Sequence, residues 1–131
     1  MQLIHGETIE EMKKIPNESV DMILADLPYG TTANKWDSVI PFDDLWKQYK
    51  RIIKEHGAIL LFGQEPFSSA LRMSGKDIYR CDWYWDKKKG GSPFLAKIQP
   101  MRVVENISLF SKGKTNYYPI MAKGKMYRAR F

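Results

Sequence analysis

Six apolar positions in the middle of the chain, Phe42, Leu45, Trp46, Tyr49, Ile52 and Ile53, fall at i, i+3, i+4, i+7, i+10 and i+11. That spacing predicts an amphipathic helix, with Lys47, Lys50, Arg51 and Lys54 off the apolar stripe. His56-Gly57 is expected to close it. Two short apolar runs flank this helix, Val20 to Ala25 and Ala58 to Phe62, and each reads as a strand buried on both faces. Strand, helix and strand over this distance predict a right-handed crossover in a parallel sheet. Upstream, Gln2 to His5 is compatible with a short strand. Thr8 with Glu11 fits a capping box for a helix carrying Ile9, Met12 and Ile15, which Pro16-Asn17 ends. Downstream, a helix is expected over Pro66 to Met73 and strands over Ile78 to Trp85 and Val103 to Phe110. Lys87 to Pro93 between those strands reads as a loop. The expected fold class is α/β, with a mainly parallel sheet and flanking helices.

The chain has 131 residues, which points to one domain over 1–131. Its longest uninterrupted apolar run is Ala58 to Phe62, too short to span a bilayer, so no membrane partner is expected. No signal peptide is visible, and the single cysteine, Cys81, excludes an internal disulfide. A reducing cytoplasm fits best. The net charge of +6 is unevenly distributed: residues 1–86 hold 10 Lys and Arg against 14 Asp and Glu, and residues 87–131 hold 11 against Glu105 alone. Phe94, Phe110, Tyr117, Tyr118, Tyr127 and Phe131 are interleaved in that basic segment. Cations that neutralise phosphates and aromatics that stack on bases make nucleic acid a candidate partner, beside the plainer reading of a solvated basic surface. Lys87, Lys88 and Lys89 are the candidate phosphate contacts, and a plain charge run is the alternative.

Chemistry concentrates at Asp26-Leu27-Pro28-Tyr29-Gly30, directly after the Val20–Ala25 run. Ligands in open α/β sheets bind beyond the carboxyl ends of strands, and this loop leaves such an end. Asp26 brings a carboxylate. Pro28 restricts Leu27 to an extended conformation, which leaves its carbonyl free to point outward. Tyr29 adds a flat ring. Two acceptors and an aromatic face can hold a planar ring bearing an amino group, whose nitrogen lone pair becomes more available once both protons are accepted. Asp, Pro, Tyr and Gly are also ordinary turn residues, so the tetrapeptide alone does not decide between a site and a turn. His5 and His56 lack metal-ligand spacing, and Ser68-Ser69 lacks the context of a nucleophile elbow.

Asp-Leu-Pro-Tyr resembles the Asp-Pro-Pro-Tyr motif of DNA methyltransferases that act on the exocyclic amino group of adenine or cytosine. Further segments resemble phage and prophage members in the same order: Leu3 to Glu7, Ile15 to Asp21, Lys35-Trp36-Asp37, Leu61-Phe62-Gly63, Trp83 to Lys87, Pro100 to Asn106, Tyr118-Pro119 and Lys123-Gly124-Lys125. The resemblance implies a partial Rossmann-like methyltransferase fold, S-adenosylmethionine as cofactor, DNA as partner and a restriction-modification setting. It implies that Asp26 and the Leu27 carbonyl bind the target amino group, that Pro28 shapes the loop, and that Tyr29 stacks on a flipped base. Trp83 or Trp85 is a candidate second aromatic wall, with a core tryptophan as the alternative.

The family's glycine-rich Asp-Pro-Phe-x-Gly-Ser-Gly loop has no counterpart here; Gly90-Gly91-Ser92 follows three lysines and reads as a plain loop. An N-terminal, target-base half is therefore expected, inactive alone, with residues 87–131 leading into the target-recognition region. Strands missing from the usual sheet imply an exposed edge, through which a homodimer is conceivable. Two other functions stay open: a nucleic-acid-binding module without chemistry, and a methyltransferase of protein glutamine or RNA.

Overall fold

A computed structural model describes the chain except for Ala33, Trp36, Ser92 and residues 125–131. Trp36, Ser92, Lys125, Tyr127 and Phe131, each used in the sequence reading, lie outside the described residues. The elements are α1 (Thr8–Lys13), β1 (Val20–Asp26), α2 (Phe42–Ile52), β2 (Ile53–Gly63), α3 (Phe67–Ser74), β3 (Tyr79–Gly91), a 3-10 turn over Pro93–Leu95, and β4 (Arg102–Phe110). The four strands form one sheet in the order β1-β2-β4-β3. β1 and β2 pair parallel; β4 pairs antiparallel with both β2 and β3. Three strands thus run one way, yet the reversed β4 separates β3 from β2, so the sheet is mixed.

The predicted stripe of α2 forms the centre of the core. Leu45, Trp46, Tyr49 and Ile52 are buried and pack with Ile59, Leu61, Phe67, Leu71 and Phe110 from β2, α3 and β4. Asp43 and Asp44 stand in the first turn of α2 and Lys50 and Arg51 in the last, each favourable to the helix dipole. Arg51 is no idle surface charge: its guanidinium donates to the carbonyls of Met12 and Ile15 at 2.7 Å and to Asn17 Oδ1, tying α1 to α2.

Several local expectations are corrected. Gln2 to His5 is not a strand. The cap of α1 is Glu7, whose carboxylate accepts from the Glu10 amide at 2.9 Å, in place of the expected Thr8–Glu11 box. The helix α2 ends before His56-Gly57, which lie inside β2. There the register slips, Val20 facing Ile53 and Met22 facing Ala58, so β2 bulges opposite Asp21. A Cβ on Gly57 would stand 2.9 Å from the Asp21 carbonyl, so close approach to β1 is the reason for glycine. Lys87 to Gly91 belong to β3, not to a loop. They carry another slip, Asp86 facing Val104 and Gly91 facing Arg102, with Lys88 at φ 61°.

β1 is not buried on both faces. It is an edge strand, and Met22 and Leu24 are 56% and 58% exposed. Cross-strand register puts Met22, Leu24, Phe62, Ile107, Trp83 and Trp85 on one side of the sheet. Ile23, Ile59, Leu61 and Phe110, which join the core with α2 and α3, lie on the other. Among the described residues no helix is long and apolar enough to cross a membrane.

Candidate functional site

β1, β2 and β3 end, and the reversed β4 begins, at the same side of the sheet. Asp26, Gln64, Lys87 and Arg102 are gathered there by that topology alone. Asp26 is the last residue of β1, level with Phe62, and its carboxylate is exposed. Leu27 turns into the core at 8% exposure and anchors the chain as it leaves the strand. A cleft of about 330 Å3 opens here, lined by Asp26, Leu27, Pro28, Tyr29, Thr31, Thr32 and Asp37.

Tyr29 is held from both ends. Its ring packs against Phe67, centroids 5.0 Å apart, and its hydroxyl donates to Asp26 Oδ1. Burial, with the Asp26 carboxylate next in weight, pushes the phenol far above its ordinary range, so it stays protonated and a donor. Asp26 and Tyr29 line one cleft, and their side chains touch.

The loop that follows is built on Asp37, whose part was not read from the sequence. Asp37 Oδ1 accepts from the Gly30 amide at 2.9 Å, and Oδ2 accepts from the amides of Thr31 at 2.9 Å and Thr32 at 2.6 Å. Gly30 makes the turn at φ 67°, which a Cβ would disfavour. The Thr32 side chain and the three amides hold the Asp37 carboxyl down to about 2. Asp37 is 8% exposed and the sole acid between Asp26 and Asp43, a signal that the loop's donors needed one acceptor.

A second cleft of about 330 Å3 shares Thr31 and Thr32 with the first and extends across Gln64, Lys87, Gly91 and Arg102. Glu105 accepts from Lys87 Nζ at 2.5 Å and from Gln64 Nε2 at 2.7 Å. Burial pushes the Glu105 carboxyl up, but the hydrogen bonds from Lys87 and Gln64 outweigh it and hold it below the usual range. The three lysines are therefore not equivalent. Lys87 is ion-paired and half-buried, whereas Lys88 and Lys89 are exposed without an ion pair among the described residues. Trp83 and Trp85 are 51% and 49% exposed, so neither is a core tryptophan; Trp85 stands edge-on to Phe62 at 6.0 Å. His56 bonds the Lys114 carbonyl, and Cys81 is free and exposed. Among the described residues no cluster of three or more His, Cys, Asp or Glu could hold a metal.

No protein-family model matches the chain. DNA adenine methyltransferase YhdJ of Escherichia coli (strain K12) is 27% identical over 128 residues, covering 88% of this chain and 42% of YhdJ. Type II methyltransferase M.HinfI of Haemophilus influenzae is 33% identical over 111 residues, covering 65% of this chain and 31% of M.HinfI. Among solved structures, the PvuII DNA methyltransferase (cytosine-N4-specific) superposes with a TM-score of 0.63 at 18% identity, over 84% of this chain and 48% of its own. The M1.HpyAVI–SAM complex gives 0.66 at 16%, over 96% and 62%. The chain thus spans less than half the length of the curated relatives it matches. The chain is thus similar in sequence to these two methyltransferases and shares the α/β fold of the solved DNA methyltransferases.

Proposed function

We propose that this chain is the target-base half of a site-specific DNA methyltransferase acting on the exocyclic amino group of adenine or cytosine. The observation that carries the reading is the placement of Asp26 and Tyr29 together in one cleft at the end of β1. The Asp26 carboxylate and the Leu27 carbonyl accept the two amino protons, Pro28 sets the direction of that carbonyl, and Tyr29 stacks on the base. A carboxylate has about four lone-pair sites, so Asp26 can keep the Tyr29 hydroxyl while accepting from an amino group. Accepting both protons leaves the amino nitrogen more nucleophilic. Trp85 is a candidate contact for the nucleic acid, with Lys87, Lys88 and Lys89.

The methyl donor in this reading is S-adenosylmethionine. Such a donor is seated by a strand, a glycine-rich turn and a helix start. The β1-to-α2 connection offers Gly30 alone, tied to Asp37, and β2 passes to α3 through Gln64-Glu65-Pro66. These residues do not fit that group, and none is assigned to it. Residues 1–131 form one domain in this proposal, whose basic segment 87–131 leads toward target recognition. A second copy pairing along the free edge of β1 satisfies the backbone groups left unpaired there, and sedimentation equilibrium tests it. A reducing cytoplasm suits the free Cys81 and a DNA substrate.

The central test is binding of adenine- and cytosine-containing single-stranded oligonucleotides, with Asp26→Ala beside the parent chain. Perturbation of the Gly30 and Thr31 amides by the base, lost in Asp26→Ala, is the expected result. Binding indifferent to Asp26 overturns the proposal. Labelled methyl transfer by this chain alone is expected to be negligible.

A further inference from the structure

The geometry points to the second cleft as the seat of a nucleic-acid phosphodiester beside the target base, gripped by Arg102 and Lys87. This inference rests on the proposed base site and adds a subsite to it. Thr31 and Thr32 line both clefts, so a nucleotide seated at Asp26 passes its backbone directly into the second. Arg102 Nη1 meets only neutral acceptors, Gln64 Oε1 and the Glu65 carbonyl, both at 3.3 Å, and it has no ion pair among the described residues. Contacts of that length are weak, and a phosphate oxygen readily displaces them. The Glu65 carboxylate is engaged by Arg72 and Ser69 instead.

Lys87 is held in place by Glu105, and an ammonium has three donors, so it can bond an incoming oxygen without leaving its partner. Lys87 and Arg102 against Glu105 leave one surplus positive charge, the complement of one phosphodiester. Asp37 also lies near, but its carboxylate is engaged by three amides and does not line the second cleft. A planar guanidinium fork suits paired phosphate oxygens and fixes their orientation. The subsite therefore positions the nucleotide without reading its base.

The test is an NMR titration of the full labelled chain with the dinucleoside monophosphates d(TpA) and d(TpC) and with their neutral methylphosphonate analogues. In the parent chain the analogue is expected to bind roughly tenfold more weakly, the scale of one charge-assisted hydrogen bond. In Arg102→Gln the parent dinucleotide weakens similarly and the analogue makes little further difference. Arg102→Lys, which keeps the charge and loses the fork, falls between. Unchanged amide spectra in the free variants show that both fold. Equal sensitivity to the analogue with and without Arg102 overturns the subsite, as does no binding at all. So does a shift of the Arg102 guanidinium by S-adenosylmethionine but not by d(TpA). Deoxyadenosine and deoxycytidine separate the two proposals. Base-induced shifts at Gly30 without Arg102 dependence remove the subsite only. Arg102-dependent phosphate binding without base-induced shifts removes the base reading only.

Discussion

Substituting Asp37 by Asn tests whether one carboxylate shapes the Tyr29 loop. Asp37 receives three backbone donors, one on Oδ1 and two on Oδ2. An asparagine has one oxygen and one NH2 group, so either its NH2 faces the Gly30 amide or it faces those of Thr31 and Thr32. One or two of the three bonds are lost in either orientation, and a donor meets a donor. The titration gives the scale. The Asp37 carboxyl is held near 2 against an ordinary 3.8. A folded value below the unfolded one means that the ionised loop contributes stability above about pH 3.8, and that this contribution is lost as pH falls through about 2. Carbon-13 shifts of the Asp37 carboxyl are expected to move with a midpoint near 2. Amide exchange at Gly30, Thr31 and Thr32 is expected to accelerate in the same interval, and in Asp37→Asn to be fast already at neutral pH. A midpoint near 3.8, or unchanged protection in Asp37→Asn, refutes the role given to this side chain.

Tyr29→Phe keeps the ring on Phe67 and removes the hydroxyl from Asp26; urea denaturation is expected to show a loss of about 1 kcal/mol. Gly75→Ala places a Cβ 2.5 Å from Cζ2 of the buried Trp46, so it is expected to destabilise by about 1–3 kcal/mol by the same assay. Lys87→Met deprives Glu105 of its ammonium and is expected to raise that carboxyl's titration midpoint. The stability difference from the parent is then largest at neutral pH and fades as pH falls through the carboxylate range, checked by denaturation at pH 7 and pH 3. Neutralising Lys88 and Lys89 together is expected to reduce the salt slope of nucleic-acid binding by roughly one to two, measured by anisotropy.

Period carried the elements that could be read in advance. The 3.6-residue stripe of α2 was legible because five of its six positions reach the same core, the sixth, Phe42, packing against its rim. The end of that helix was not, since Ile53 is both the last stripe position and the first residue of β2. An apolar run such as Val20 to Ala25 identifies a strand but not its neighbours. Met22 and Leu24 look in sequence like core residues and stand in the open. The order β1-β2-β4-β3 was out of reach because the reversal of β4 is a property of pairing, not of composition. At the candidate site, Asp26 and Tyr29 were legible because one closes a strand and the other lies in the loop that leaves it. Asp37 and Arg102 act on partners 5 to 7 and 37 to 38 residues away, so their roles appear only through space. Lys87 and Lys88 are neighbours in a run of identical residues, yet one is bound to Glu105 and the other juts out at a positive φ.

The slip in β3 bears on how this sheet meets other copies of itself. Exposed strand edges are templates for amyloid-like growth, and they are blunted by bulges and by lysine. The outer edge at β3 has both, its register breaking between Asp86 and Gly91 where Lys87, Lys88 and Lys89 lie. The opposite edge at β1 is regular from Met22 to Asp26 and carries acids only near its ends, at Asp21 and Asp26. Stacking of chains is therefore expected to be directional, disfavoured at β3 past Asp86 and favoured along Met22–Ala25, where a single lysine in place of Leu24 is the change best suited to stop it.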